Sequence, residues 1–126
     1  MKKTIHTKEA PQAVGPYSQA VELNGMLFVS GQIALIPETG ELVQGGIREQ
    51  TTQVLRNLDS ILKAAGYDWW DVVKCSCMLK DMDDFQEMNE AYALYFRKDQ
   101  PARAAYQVAK LPLDVLIEIE AIAMKD

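Results

Sequence analysis

One amphipathic segment, residues 47–65, limits the folds open to this chain more than any other feature. Its apolar residues recur at the spacing of an α-helix, and a glycine follows at the position where a left-handed residue ends many helices. The residues of this pattern are Ile47, Val54, Leu55, Leu58, Ile61, Leu62 and Ala65, followed by Gly66. Because the apolar face of such a helix must be buried against a second layer, the rest of the chain has to supply that layer.

Several stretches with strand character can form this second layer. Residues 20–23 and 27–30 flank Asn24-Gly25, a dipeptide typical of a two-residue hairpin turn. A further strand is predicted at 72–79, and two more lie on either side of the loop at 111–114. The side chains of strand 72–79 that should face the core are Val73, Cys75, Cys77 and Leu79.

A second helix is predicted after strand 72–79 and before the last two strands. Asp83 and Asp84 can cap it, since Gln86 and Glu87 follow them at capping-box spacing. Its apolar stripe consists of Phe85, Met88, Tyr92, Tyr95 and Phe96. We interpret this stripe as core, because aromatic residues at helical spacing on a small domain usually pack inwards.

The resulting order, ββαβαββ, predicts one α+β domain over residues 1–126. Two helices on one face of a mixed sheet leave the other face without a cover. A chain of this size has no further element for that face, so we expect an oligomer.

Composition excludes several function classes. Thirteen basic and eighteen acidic residues give a formal charge of −5, and no basic run is present, so a nucleic-acid partner is not expected. No apolar stretch is long enough to span a bilayer or to serve as a signal peptide, so we expect a cytoplasmic protein without a membrane partner.

The two cysteines are two residues apart on a strand, about 6.5–7 Å between Cα atoms, which does not suit a disulfide. With a single histidine, His6, in a start expected to be mobile, neither a metal nor a cofactor is predicted.

The last two strands carry the charges that need an explanation. Arg103 stands at the head of one strand, and Glu118 and Glu120 lie within the next. If the two strands form a hairpin with a four-residue loop, Ala105 lies opposite Glu118 and Arg103 opposite Glu120, all on one face. Such a site suits a small carboxylate, although an internal ion pair of Arg103 with either glutamate is the alternative.

Six motifs, in order, resemble the Rid family of reactive intermediate deaminases, also called YjgF-like proteins or L-PSP endoribonucleases. They are Gly15-Pro16-Tyr17-Ser18-Gln19-Ala20, Val29-Ser30-Gly31-Gln32, Asn57-Leu58, Val73-Lys74, Pro101-Ala102-Arg103 and Ile117-Glu118-Ile119-Glu120-Ala121-Ile122-Ala123. The resemblance implies a chorismate-mutase-like fold and a homotrimer around a central barrel, with pockets between subunits.

The resemblance also implies a function. Family members hydrolyse 2-enamine and 2-imine acids, such as 2-aminoacrylate, to 2-keto acids and ammonia without metal or cofactor. Carried over residue by residue, Arg103 binds the substrate carboxylate and Glu118 activates the water. Tyr17, Ser30, Gly31 and Ala105 would line the pocket, with Asn89 a further candidate. Many members have cysteine in place of Ala105, but the implied contact is the backbone carbonyl.

Two other functions stay open from the sequence. The first is an endoribonuclease of L-PSP type, although acid–base RNA cleavage usually uses histidine or a metal, and this chain has only His6 and an acidic balance. The second is a non-enzymatic regulatory trimer that binds a small carboxylate. Binding without turnover would identify the latter.

Overall fold

The structure, a computed structural model, describes residues 1–126 as one mixed sheet covered by two helices. The strands are β1 (Lys3–Ile5), β2 (Ala20–Leu23), β3 (Met26–Gln32), β4 (Val72–Leu79), β5 (Ala102–Gln107) and β6 (Ile117–Met124), and the helices are α1 (Ile47–Ala64) and α2 (Phe85–Tyr92). In space the strands follow the order β1-β2-β3-β6-β4-β5. Only β4 and β5 run parallel to each other. The predicted α+β architecture with a mixed sheet and two helices is confirmed.

The hairpin turn between β2 and β3 and the end of helix α1 form where the local sequence predicts them. Asn24 and Gly25 have φ angles of 52° and 75°, so both adopt the left-handed conformation that a tight hairpin between β2 and β3 needs. Gly66, with φ of 82°, follows the end of α1 as predicted. The helix buries its apolar stripe in the core on β3 and β6.

Three local expectations are wrong. The chain start is not mobile, because Lys3–Ile5 pairs with β2 and buries Ile5. Val73 does not face the core: the register of β4 against β6 shifts between Val72 and Lys74, which leaves Val73 42% exposed. Helix α2 has no side-chain cap from Asp84; instead Asp81 caps a short 3-10 turn before it by accepting from the Asp83 amide.

The predicted hairpin between the last two strands is also wrong. Helix α2 is the crossover that parallel strands require, and it brings β5 to the edge beside β4. Strand β6 then enters between β3 and β4, because the connection at 108–116 crosses over β4. Strand β4 therefore separates β5 from β6.

This strand order distributes the candidate residues over two faces. Arg103 and Ala105 pair with Cys75 and Cys77, whose side chains are buried beneath the helices. Glu118 pairs with Met78, which belongs to the opposite face. The four residues expected on one face are thus divided, with Arg103 and Ala105 on the helix side and Glu118 and Glu120 on the other.

The face without helices is apolar and partly exposed, and we call it the open face. Its apolar side chains are Val21, Leu23, Met26, Phe28, Met78, Tyr106, Ile122 and Met124. Phe28, Tyr106 and Met124 are 45%, 47% and 44% exposed. A patch of this kind on a small domain usually marks an interaction surface. Neither helix has the combination of length and apolar character that crossing a membrane requires.

Candidate functional site

Four of the predicted site residues lie together in one pocket of about 540 Å³. Tyr17, Ser30, Gly31 and Glu118 all line it, on elements that are far apart in the sequence. Apolar residues complete its walls: Pro11, Val14, Ile33, Leu35, Pro112 and Leu113. We call it the Glu118 pocket.

A β-bulge builds the floor of the Glu118 pocket. Along β3 the register against β6 moves from Val29 opposite Ala121 to Gln32 opposite Ile119, so Ser30 and Gly31 together face a single residue of β6. The bulge brings the Glu118 side chain so close to Gly31 that an added Cβ there would lie 2.8 Å from Glu118 Cδ. Only glycine leaves room for the carboxylate in this place.

The environment of Glu118 favours its neutral form. Partial burial raises the pKa of this carboxyl, and the nearby negative charge of Glu120 raises it further. A carboxyl whose pKa is raised holds a proton more readily once it has accepted one, and it can return that proton later in the reaction. The geometry thus suits general acid–base chemistry inside the pocket.

Gln19 holds one wall of the Glu118 pocket, and sequence reasoning assigned it no role. The side chain is buried, accepts from the Thr7 amide at 2.7 Å, and donates to the carbonyls of Thr7 and Pro11 at 3.0 and 2.8 Å. These bonds tie the segment from Thr7 to Pro11, which leads to Tyr17, onto β2. The one sequence feature that points to Gln19 is its place in the segment Gly15-Pro16-Tyr17-Ser18-Gln19-Ala20.

Ser30, on β3, holds the same wall of the pocket through two hydrogen bonds. Its hydroxyl donates to the Ser18 carbonyl at 2.6 Å, and its amide donates to the Gln19 carbonyl at 2.9 Å. The hydroxyl proton of Ser30 is therefore engaged, while its oxygen can still accept from a ligand.

Arg103 and Asn89 lie in a second pocket, of about 460 Å³, at the other side of the sheet. Arg103 Nη1 donates to Asn89 Oδ1 at 2.7 Å, and no carboxylate of the chain pairs with the guanidinium. The alternative of an internal ion pair with Glu118 or Glu120 is therefore wrong. We call this the Arg103 pocket.

Ala105 lies in neither pocket wall. Its side chain is half-buried, points with Cys77 toward the helix side and packs against the core. Its backbone belongs to β5, the edge strand of the sheet.

The two predicted halves of the site do not meet within one chain. Strands β5 and β6 are two strand spacings apart, about 9.6 Å, and the side chains of Arg103 and Glu118 leave the sheet on opposite faces. One small ligand cannot contact both residues of the same subunit.

Neither cysteine provides an alternative nucleophile. Cys75 and Cys77 are free and buried, and burial raises their pKa values to about 11 and about 12. Thiolates are scarce at neutral pH under these conditions. No cluster of three or more His, Cys, Asp or Glu side chains is placed to hold a metal ion.

Comparisons with known proteins identify the family of this chain. The sequence profile of the family described as Endoribonuclease L-PSP matches residues 7–125. A mouse 2-iminobutanoate/2-iminopropanoate deaminase is 52% identical over 99% of this chain and 93% of its own. Reactive Intermediate Deaminase A of Arabidopsis thaliana, a chloroplastic protein, is 52% identical over 97% of this chain and 65% of its own. A crystal structure from Thermotoga maritima, 55% identical, superposes with a TM-score of 0.98 and covers 100% of this chain and 99% of its own. The chain therefore belongs to the Endoribonuclease L-PSP family, the Rid family that its motifs resemble.

Proposed function

We propose that this protein is a metal- and cofactor-independent deaminase that hydrolyses 2-imino and 2-enamino acids to 2-keto acids and ammonia. The observation that carries the proposal is the pair of pockets: one holds a carboxyl with a raised pKa, and the other an arginine with no partner carboxylate. The names of the mouse and Arabidopsis relatives support the same reaction class. 2-Aminoacrylate is the substrate that we propose to test first.

The reaction needs few groups from the protein. Arg103 holds the substrate carboxylate through two parallel hydrogen bonds. Glu118 takes a proton from water as the water oxygen adds to the carbon of the protonated imine, which gives a carbinolamine. The same carboxyl then returns the proton to the carbinolamine nitrogen. The carbon–nitrogen bond breaks, ammonia leaves, and Glu118 takes up the hydroxyl proton as the carbon–oxygen double bond forms. Atoms balance without an oxidant or reductant.

We further propose that the working unit is a homotrimer in which each site uses Glu118 of one subunit and Arg103 of its neighbour. Two observations support this arrangement. The first is the exposed apolar surface of the open face, which is typical of a protein–protein interface. The second is that Glu118 lies on the same face, in the row of paired residues that contains Met78 and Tyr106. Packing of open faces in a trimer would bring a neighbouring edge strand toward the Glu118 pocket.

The test supplies 2-aminoacrylate from a serine dehydratase reaction and follows pyruvate formation. Wild type should accelerate it, and Glu118→Gln should lower kcat by roughly 10²–10⁴, the usual contribution of a positioned acid–base group. Saturable binding of 2-oxobutanoate without any acceleration would favour the regulatory trimer instead.

RNA cleavage is the second candidate, since the family description names an endoribonuclease. The single histidine and the charge of −5 count against it. Cleavage of a mixed RNA that disappears in Glu118→Gln, together with no imine turnover, would replace the deaminase proposal.

A further inference from the structure

The face of α2 that covers Arg103 has an unusual composition for the surroundings of a charged group. Phe85, Asn89 and Tyr92 follow at spacings of four and three residues, so they lie on one side of the helix. All three contact the guanidinium. Its Cζ lies 5.4 Å from the Phe85 ring centre and 4.9 Å from that of Tyr92, while Asn89 accepts its hydrogen bond.

An arginine usually finds a carboxylate when a protein holds it in place. Every ion pair in this chain involves other cations, namely Arg48 with Glu90, Lys63 with Asp59 and Lys80 with Asp114. Two aromatic faces and one neutral amide hold Arg103 instead. The ring quadrupoles attract the cation, but they do not neutralise it or occupy its N–H groups.

Tyr92 contributes its ring rather than its hydroxyl. The side chain is buried, and its hydroxyl lies beside the Cys75 thiol without a hydrogen bond of ordinary geometry. The hydroxyl therefore takes no part in holding the guanidinium, which Tyr92 contacts through its ring alone. Phe96 packs on the Tyr92 ring, with 4.6 Å between the ring centres, and lines the Arg103 pocket, whereas Tyr95 packs on Trp69 and does not line that pocket.

We propose that Tyr92, with Phe85 beside it, positions the Arg103 guanidinium for a ligand carboxylate by forming a two-ring platform without a competing carboxylate. The platform fixes the plane of the fork, and Asn89 fixes its rotation. The remaining N–H groups are left for a planar anion. Phe85 and Tyr92 are positioning residues in this proposal, which rests on the proposed role of Arg103 as the carboxylate anchor.

The experiment compares Tyr92→Leu, which removes the ring, with Tyr92→Phe, which keeps it, and with Tyr95→Leu as the matched control. Binding of 2-oxobutanoate is measured by calorimetry, and kcat and KM are measured on enzymatically generated 2-iminobutanoate. Tyr92→Leu should raise Kd and KM about five- to tenfold with kcat little changed, as expected for loss of a partly desolvated cation–π contact. Tyr92→Phe and Tyr95→Leu should both bind 2-oxobutanoate as tightly as wild type does.

A second readout needs neither ligand nor turnover. Nitrogen-15 relaxation of the Arg103 side chain should report slow guanidinium rotation in wild type and Tyr92→Phe, and fast rotation in Tyr92→Leu. If Tyr92→Leu does not fold, Phe85→Leu, at a half-buried position, should raise Kd about threefold and speed the rotation. Unchanged binding and rotation in a folded ring-deletion variant, or a Tyr92→Phe defect as large as that of Tyr92→Leu, would overturn the platform. Restricted rotation in a wild type without imine turnover would refute the deaminase proposal and leave the platform standing.

Discussion

Arg103 and Glu118 lie on opposite faces of one sheet, and strand β4 runs between the strands that carry them. Each residue opens into its own pocket, so a ligand that touches both must lie between two copies of the chain. A site that uses both residues therefore has to be shared between two subunits and cannot form within one.

The shared site predicts complementation between two inactive variants. Arg103→Lys loses the two-pronged carboxylate grip, and Glu118→Gln loses the base. When the two are co-expressed with different tags and the trimers that carry both tags are isolated, about a third of the interfaces, one in each trimer, should pair an intact Glu118 with an intact Arg103 of the neighbour. Imine hydrolysis should return to roughly that fraction of wild type.

The control for this prediction is each variant alone, taken through the same double-tag purification. Both should remain nearly inactive as homotrimers. Mixed trimers with no more activity than these controls would mean that the two residues do not share an intersubunit site.

Gly31 is expected to be essential for activity and dispensable for folding. An alanine Cβ there would meet Glu118 Cδ at 2.8 Å and Cγ at 3.1 Å, and the flexible end of Glu118 can move away. Gly31→Ala should therefore keep the Tm within a few degrees while kcat falls by roughly 10²-fold, the usual effect of displacing a catalytic group by about 1 Å.

Gly46→Ala is the matched control for that change. Gly46 has an ordinary φ of −100°, and a Cβ there would have no neighbour closer than 4.0 Å. Its activity should equal that of wild type. A fully active Gly31→Ala enzyme would show that the observed position of the Glu118 carboxylate is not the working one.

Gln19→Leu is expected to detach the segment that leads to Tyr17. The leucine fills the volume but leaves the Thr7 amide and the Pro11 carbonyl without their partner, while the Thr7 carbonyl keeps only the bond from Gln12. At about 1–3 kcal/mol for each group left unpaired in the interior, the total loss should reach about 2–4 kcal/mol, since part of the segment can regain water. Urea unfolding measures the loss, and limited proteolysis should cut between residues 7 and 18 more quickly.

Gln12→Leu tests whether any glutamine in this segment would have the same effect. Gln12 is exposed and donates to the same Thr7 carbonyl at 3.2 Å. Its loss should cost no more than about 0.5 kcal/mol. Equal losses for the two variants would remove the special role of Gln19.

The fold could be predicted where the signal is local. The two left-handed residues of the Asn24-Gly25 turn and the apolar stripe of α1 each act within a few positions, and both formed as expected. Strand β1 was missed because a strand of three residues is too short to show a recognisable alternation of apolar and polar side chains. The outward turn of Val73 depends on a bulge against β6, which no pattern within β4 encodes.

The candidate site shows the same division. Four residues of the Glu118 pocket, Tyr17, Ser30, Gly31 and Glu118, were named from the family motifs. The register between Arg103 and Glu118 was wrong because it depends on which strands are neighbours. Sequence adjacency favoured a hairpin between β5 and β6, whereas the parallel pairing of β5 with β4 left the slot beside β3 for β6. Strand order is a property of the whole sheet.

The pH dependence of activity should report on Glu118 and its neighbour Glu120. Burial, the larger cause, and the charge of Glu120 raise the pKa of Glu118 above its ordinary 4.5. The reaction needs the deprotonated carboxyl as base, so kcat should fall as the pH drops, with a midpoint above 4.5. In Glu120→Gln the charge is gone but the burial remains, and the midpoint should move to lower pH without reaching the ordinary value.

Stability should vary with pH in the opposite sense to activity. The folded protein binds the Glu118 proton more tightly than the unfolded chain does, so the stabilisation from this proton is complete below the ordinary pKa and is lost as the pH rises through the folded one. Glu118→Gln cannot ionise, and it should be at least as stable as wild type at pH 7 while nearly inactive. Denaturant titrations at pH 4 and pH 7 measure the difference. A wild type that gains stability relative to Glu118→Gln between these two pH values would mean that the folded state favours the charged carboxylate, and the raised pKa would then be wrong.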